Sequence, residues 1–244
     1  MIPKKIHYCW FGGNPKNELI LRCIESWSVH CPDYEIIEWN ESNIDLEENR
    51  FIKEAHDNKK WAFITDYVRL KVLHEYGGVY LDTDVELVNN IDRFLGHRAF
   101  SGFEDNRFIP TGLMAAEKGH PWITKLLEYY IDRSFYRKDG SLDTTPNTKI
   151  ISDVSQSEFG YDPLNITGDK LVILDDDINI YPWFVFCPKS HLDGKIRLRK
   201  ETYAIHHFNG SWLTGKQKIR KEIVKILVRF IGLNNVIKIR NALK

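Results

Sequence analysis

Several features are scarce or missing in this chain of 244 residues, and each absence narrows the reading. No stretch approaches the roughly 20 consecutive apolar residues that a helix needs to cross a bilayer. The opening Met1-Ile2-Pro3-Lys4-Lys5-Ile6 has no apolar core of a secretory signal, because His7 and Gly12-Gly13 interrupt the residues after the lysines. The four cysteines, Cys9, Cys23, Cys31 and Cys187, form no Cys-x-x-Cys pair and no zinc-like spacing. They are expected as free thiols in a reducing cytoplasm, with a Cys23–Cys31 bridge as the alternative. No internal repeat, low-complexity tract or linker interrupts the chain before about residue 213. The formal net charge is zero, but the body of the chain before the C-terminal stretch is acidic, and with no nucleic-acid motif present this argues against a nucleic-acid partner.

That zero hides an uneven distribution. From Lys216 to Lys244 there are nine basic residues against one acid, Glu222, which leaves about −8 on the rest of the chain. Ile219, Ile223, Ile226, Leu227, Phe230 and Ile231 recur there at helical spacing among the lysines and arginines. Residues 1–213 are therefore expected to form the folded body, and residues 214–244 a basic amphipathic helical tail. Such a helix suits the headgroup layer of an anionic membrane; packing against the body is the alternative.

Elsewhere the pattern alternates. Strands are expected at 5–11, 34–39, 79–87, 99–104, 108–116, 171–174 and 203–207, and helices at 15–30, 51–59, 61–76 and 121–136. Gly77-Gly78 closes the third helix. Strands alternating with helices imply an α/β fold around a mostly parallel, Rossmann-like sheet.

The acids Asp82 and Asp84 carry the chemistry. Two residues apart on one strand, they share a face of the sheet. Neighbouring carboxylates repel, and burying them is costly unless a cation neutralises them. A hard divalent ion, Mn²⁺ or Mg²⁺, takes oxygen ligands from such a pair together with substrate phosphates. Asp66 and Arg69, three apart on a helix, share a face and invite either a ligand or an ordinary ion pair. Asp175-Asp176-Asp177 cannot all share one side of a strand and reads as a solvated turn.

The segment Ala62-Phe63-Ile64-Thr65-Asp66-Tyr67-Val68-Arg69-Leu70 through Gly77-Gly78-Val79-Tyr80-Leu81-Asp82-Thr83-Asp84 resembles the sugar-binding DXD region of family 32 glycosyltransferases. The opening Ile2 to Gly13 and the ending Tyr203 to Trp212 resemble that family's first strand and last motif. The resemblance implies a GT-A fold, a retaining reaction, a divalent metal, and a donor that is a nucleotide sugar, UDP-linked in preference to GDP-linked. It places Trp10 on the nucleobase, Asp66 and Arg69 on the donor sugar and diphosphate, Tyr80 and Asp82 along the donor, and Asp84 on the metal. Trp212 would donate its indole N–H to the leaving phosphate. Either His206 or His207 would complete the metal site, with the edge to His207 from its spacing to Trp212.

The function expected is transfer of a hexose or N-acetylhexosamine to a glycan, through a lipid-linked surface polysaccharide intermediate at the inner face of the cell membrane. A membrane-associated sugar-binding module without catalysis is the alternative from another class. A sugar nucleotidyltransferase is less well matched, since no glycine-rich, basic N-terminal loop is present to grip a triphosphate.

Overall fold

The computed structural model describes residues 1–104, 108–190 and 193–210, together with 223, 224, 226–228, 230, 232 and 235. Trp212 and most of the basic tail lie outside the described residues.

The chain runs β1 (Lys5–Cys9), α1 (Glu18–His30), β2 (Glu35–Trp39), α2 (Arg50–Asp57), α3 (Trp61–Tyr76), β3 (Gly78–Leu81), β4 (Val85–Leu87), β5 (Ala99–Gly102), β6 (Leu113–Ala116), α4 (Pro121–Glu128), α5 (Asn147–Glu158), β7 (Val172–Leu174), β8 (Ile178–Tyr181), α6 (Trp183–Phe186) and β9 (Ala204–His206). Seven strands form one sheet in the order β2-β1-β3-β6-β5-β8-β7, and β4 pairs with β9 in a separate ribbon. The pairings run β2, β1, β3, β5 and β8 in one direction and turn β6 and β7 against it. This is the mostly parallel α/β sheet implied by the alternation of strands and helices in the sequence.

Both faces of the sheet are covered, and the strands alternate accordingly. Cys9, Tyr80, Met114 and Ala116 face the core that includes α3 and α4. Tyr8, Val79, Leu81, Leu113 and Ala115 face the core beneath α1, around Trp27. Asn17 caps α1 by accepting from Ile20 N, and Asn49 caps α2 by accepting from Phe51 N and Ile52 N. The α3–β3 connection is the tightest. Gly77 and Gly78 have φ of 65° and 114°, and an added Cβ would lie 2.7 Å from Lys118 N at the first and 2.8 Å from Lys5 O at the second.

The single strand expected from Val79 to Leu87 is instead two. β3 stops at Leu81, Asp82 N donates to Gly112 O at 2.8 Å, and Val85 N turns back to Asp82 O at 2.9 Å. Asp82 and Asp84 therefore sit in the turn where the chain leaves the large sheet for the ribbon, rather than on one face of a strand. Aspartate is a poor strand former, and here its backbone partners are turn and loop groups. The helix expected at 121–136 ends at Glu128, and α5, β8 and α6 are elements that the sequence pattern did not signal. The Asp175–Asp177 run is a short 3₁₀ turn, with Asp176 at φ 58°.

Candidate active site

α3 and β3 lie side by side, so that one turn of helix presents Asp66 and Arg69 towards the end of β3. Arg69 is 4% exposed and every direction of its guanidinium is engaged. Nη1 donates to Thr111 O at 2.7 Å and lies 3.3 Å from Asp82 Oδ1, Nη2 donates to Asp66 Oδ1 at 3.2 Å, and Nε donates to Thr65 O at 3.3 Å. The guanidinium also stands 4.7 Å over the Tyr80 ring, whose hydroxyl donates to Asp82 Oδ1 at 3.2 Å. A buried cation thus ties a buried acid of α3 to the partly buried Asp82 of the following turn, and these contacts offset the cost of burying Arg69 and Asp66.

Asp66 carries a further partner. Asn147, the first residue of α5, donates from Nδ2 to Asp66 Oδ1 at 2.8 Å. The other end of that amide, Asn147 Oδ1, is buried with no hydrogen-bond partner. Burial pushes the Asp66 carboxyl up to about 6, although Arg69 and Asn147 pull it down. Asn147 escaped the sequence reading because the segment before it offered no periodic pattern. The loop leading to it is tied by Asp143, which accepts from Arg133, Arg137 and Thr145.

The second half of the site comes from the ribbon. β9 runs antiparallel to β4, with His206 opposite Val85. His206 Nε2 lies 3.3 Å from Asp84 Oδ1, and Asn209 N donates to Asp84 Oδ2 at 2.7 Å. Burial works to raise the Asp84 carboxyl, but His206 and that amide outweigh it and hold the acid near 2. His207 faces the other way, as neighbours on a strand do. Its Nε2 meets Glu86 Oε2 at 2.7 Å, and its backbone N–H donates to Asp84 O at 2.9 Å. Of the two histidines, the structure therefore brings His206 to the aspartates, correcting the edge given to His207.

Ligand atoms from Asp82, Asp84 and His206 all lie within 4.8 Å of one another. Two carboxylates and an imidazole at that spacing fit one divalent cation, and the oxygen-rich set suits Mn²⁺ or Mg²⁺ better than a thiophilic ion. Trp10 is placed differently from the other expected donor contacts. It is half-buried against the core beneath α1, its indole N–H donates to Asn14 O at 2.7 Å, and Lys16 Nζ stands 5.3 Å over its ring.

Residues 17–101 match a family profile described as a glycosyltransferase sugar-binding region containing a DXD motif. A stretch of 138 residues, 52% of the chain, is 28% identical to inositol phosphoceramide mannosyltransferase 3 of Schizosaccharomyces pombe. The matched stretch spans 36% of that relative, so this chain covers about a third of its length. Among solved structures the chain is similar to PaToxG glycosyltransferase, at a TM-score of 0.48 and 19% identity over 64% of this chain and 70% of that one. It is also similar to a glycosyltransferase involved in glycosylation of the major capsid of PBCV-1, at a TM-score of 0.45 and 14% identity over 90% of this chain and 98% of that one.

Proposed function

We propose that the chain is a glycosyltransferase of the DXD type, a reading supported by the profile match over residues 17–101 and the similarity to a fungal mannosyltransferase, and that it transfers a hexose or N-acetylhexosamine from a nucleotide sugar, UDP-linked in preference to GDP-linked, with retention at the anomeric carbon. The observation that carries the reading is the convergence of Asp82, Asp84 and His206 beside the Arg69–Asp66 pair.

Asp82, Asp84 and His206 would hold a Mn²⁺ or Mg²⁺ ion, whose charge offsets that of a departing diphosphate. Arg69 keeps the acids of α3 and β3 in one place, and its positive charge lies on the side of the site where the donor's phosphates belong. Asp66 and the open Asn147 Oδ1 offer acceptors for hydroxyls of the donor sugar, with Tyr80 packed beneath Arg69. Trp10 and Trp212 are proposed to contact the base and the leaving phosphate. Retention then proceeds by same-face substitution. The C1–O bond to the diphosphate breaks, the acceptor hydroxyl oxygen bonds to C1, and its proton passes to the departing phosphate oxygen.

The acceptor proposed is a glycan on a lipid carrier at the inner face of the cell membrane. Support comes from the tail's composition and from Ile223, Val224, Ile226, Leu227 and Phe230, which are exposed rather than packed on the body. Residues 1–213 would be the catalytic unit and residues 214–244 the membrane-contacting tail. Among the described residues no helix is long and apolar enough to cross a membrane.

The test is release of nucleoside diphosphate from a panel of UDP- and GDP-sugars with and without Mn²⁺. Metal-dependent release that vanishes in Asp84→Asn is expected; a sugar-binding module would bind and release none. Retention is read separately from the anomeric configuration of the product.

A further inference from the structure

Between α6 and β9 the chain doubles back on itself in a segment that departs from the acidic character of the body. Lys189 bridges antiparallel to Ile196. Gly194 N donates to Ser190 O at 2.8 Å, Ser190 N to Lys195 O at 3.0 Å, and Arg197 N to Pro188 O at 3.0 Å. From Lys189 to Glu201 there are five basic residues against two acids, Asp193 and Glu201. Asp193 is engaged by Arg197, whose Nη2 donates to Oδ2 at 2.6 Å. Every residue from Lys195 to Glu201 is exposed, and the apolar members Ile196 and Leu198 are 44% and 60% exposed.

The base of this excursion is fastened to the body. The Arg199 guanidinium lies against α6, 4.1 Å from the Phe184 ring centre and 5.1 Å from that of Trp183. Arg199 N donates to Thr202 Oγ1 at 2.9 Å, and the same hydroxyl, on a residue 2% exposed, donates to Phe184 O at 2.8 Å. Lys195, Ile196, Leu198 and Lys200 are thereby presented to solvent on a fixed base. Apolar side chains beside flexible cations suit a fluid anionic bilayer: the first enter the headgroup layer, and the ammonium groups reach lipid phosphates. Six residues lead from Lys200 to His206, and an extended chain of that length spans at most about 20 Å. The ribbon that carries Asp84 and His206 therefore lies close behind this surface.

We propose that residues 195–200 are a docking surface for an anionic membrane, with Ile196 and Leu198 entering the headgroup layer and Lys195 and Lys200 on lipid phosphates. The proposal rests on the membrane reading above and adds to it a contact on the folded body that does not depend on the basic tail. A tail alone would tether the body without orienting it. A second contact on the same bilayer raises the avidity of the first, and this one holds the strand that leads into β9 against the lipid, where a lipid-linked glycan presents its hydroxyls.

Co-sedimentation of the full chain with vesicles of phosphatidylcholine, alone or with phosphatidylglycerol, tests it. One cation near an anionic surface is worth about fivefold in partitioning. Lys195→Gln/Lys200→Gln is therefore expected to bind the anionic vesicles about 25-fold more weakly than wild type. Ile196→Ser/Leu198→Ser should lose at least about tenfold. Both pairs are exposed, so the urea midpoint should stay at the wild-type value. A second readout reports the contact directly. The four native cysteines are buried, so Leu198→Cys takes an environment-sensitive fluorophore, whose emission should move to the blue on anionic vesicles and not in inorganic phosphate. Wild-type binding by both paired variants overturns the proposal and leaves the tail reading standing, as does a label whose emission vesicles do not change. A label that inorganic phosphate shifts equally assigns the surface to a soluble anion and also overturns it. A wild-type chain that sediments with neither vesicle overturns the membrane reading itself, and the proposal with it.

Discussion

The two halves of the site are built in opposite ways. The half on α3 and β3 draws Asp66, Arg69, Tyr80 and Asp82 from 17 consecutive positions, joined by one glycine turn and saturated with hydrogen bonds. The half on the ribbon joins Asp84 to His206 across more than 120 positions, through two three-residue strands. The first half is a rigid electrostatic unit whose parts cannot be removed singly. The second is an assembled contact, held by the register of β4 on β9 and by what α1 and α6 do to those strands.

Breaking the first half should be the more damaging. Arg69→Met leaves Asp66 buried, and Asp82 partly buried, beside no cation, and removing one partner of a buried ionic group typically costs about 3–5 kcal/mol. Urea denaturation of Arg69→Met should show that loss; a midpoint within error of wild type would mean the two acids do not depend on the guanidinium.

The next effect is visible only as a function of pH. His7 is fully buried, accepting at Nδ1 from the Trp39 indole N–H at 3.1 Å and donating from Nε2 to Gly77 O at 2.9 Å. Burial pulls it from 6.5 to about 4, against the pull of that carbonyl. The unfolded chain takes up this proton below 6.5 and the folded one only near 4, so the His7 contribution costs roughly 3 kcal/mol of stability as pH falls through that window. Asp66 has the reverse sign. Folded, it takes a proton near 6, and unfolded only near 3.8, so it favours the fold by a similar amount as pH falls. The two offset each other. Asp66→Asn should therefore lose roughly 3 kcal/mol more than wild type between pH 7 and pH 4, and parallel stability curves for the two proteins would refute the assignment.

In the second half, the two adjacent histidines should part company. His206→Gln, which removes a ligating nitrogen, should weaken Mn²⁺ binding by at least the roughly 10–100-fold typical for losing a group behind a ligand, whereas His207→Gln, on the Glu86 side, should change it by less than about threefold. Calorimetry with the same ion on both variants decides; equal losses would mean the ribbon's register, rather than the ring, matters. The smallest effect is expected at the buttress. Trp27 Nε1 donates to Val85 O at 2.8 Å, and Trp27→Phe should cost about 1 kcal/mol for the hydrogen bond alone, read from thermal or urea unfolding.

The same contrast explains what the sequence made legible. The helix from Trp61 to Tyr76 was readable to the residue, because one periodic segment ends on a glycine pair. Asp66, Arg69, Asp82 and Asp84 were legible as a group since they are close along the chain. The choice between His206 and His207 was not, because which of two neighbours faces the site is set by pairing with a strand far away in sequence. The break between β3 and β4 was hidden for a related reason: apolar residues flank the aspartates on both sides, and only the departure of the chain into a second sheet separates them. Asn147 left no mark at all, because it acts through a single side-chain contact that has no periodicity or spacing to betray it.

The Gly77-Gly78 corner sets a mechanical rule for this protein. Helix and strand leave it like the arms of a calliper, with the guanidinium on one tip and a carboxylate on the other. Neither glycine can take a side chain without striking backbone, so the pivot has no adjustment. One residue inserted between Arg69 and the corner would swing the guanidinium about 100° around its arm, by helical geometry, and close the jaws on nothing. Evolution can retune such an instrument by changing what the tips grip, but not by altering the length of the arms.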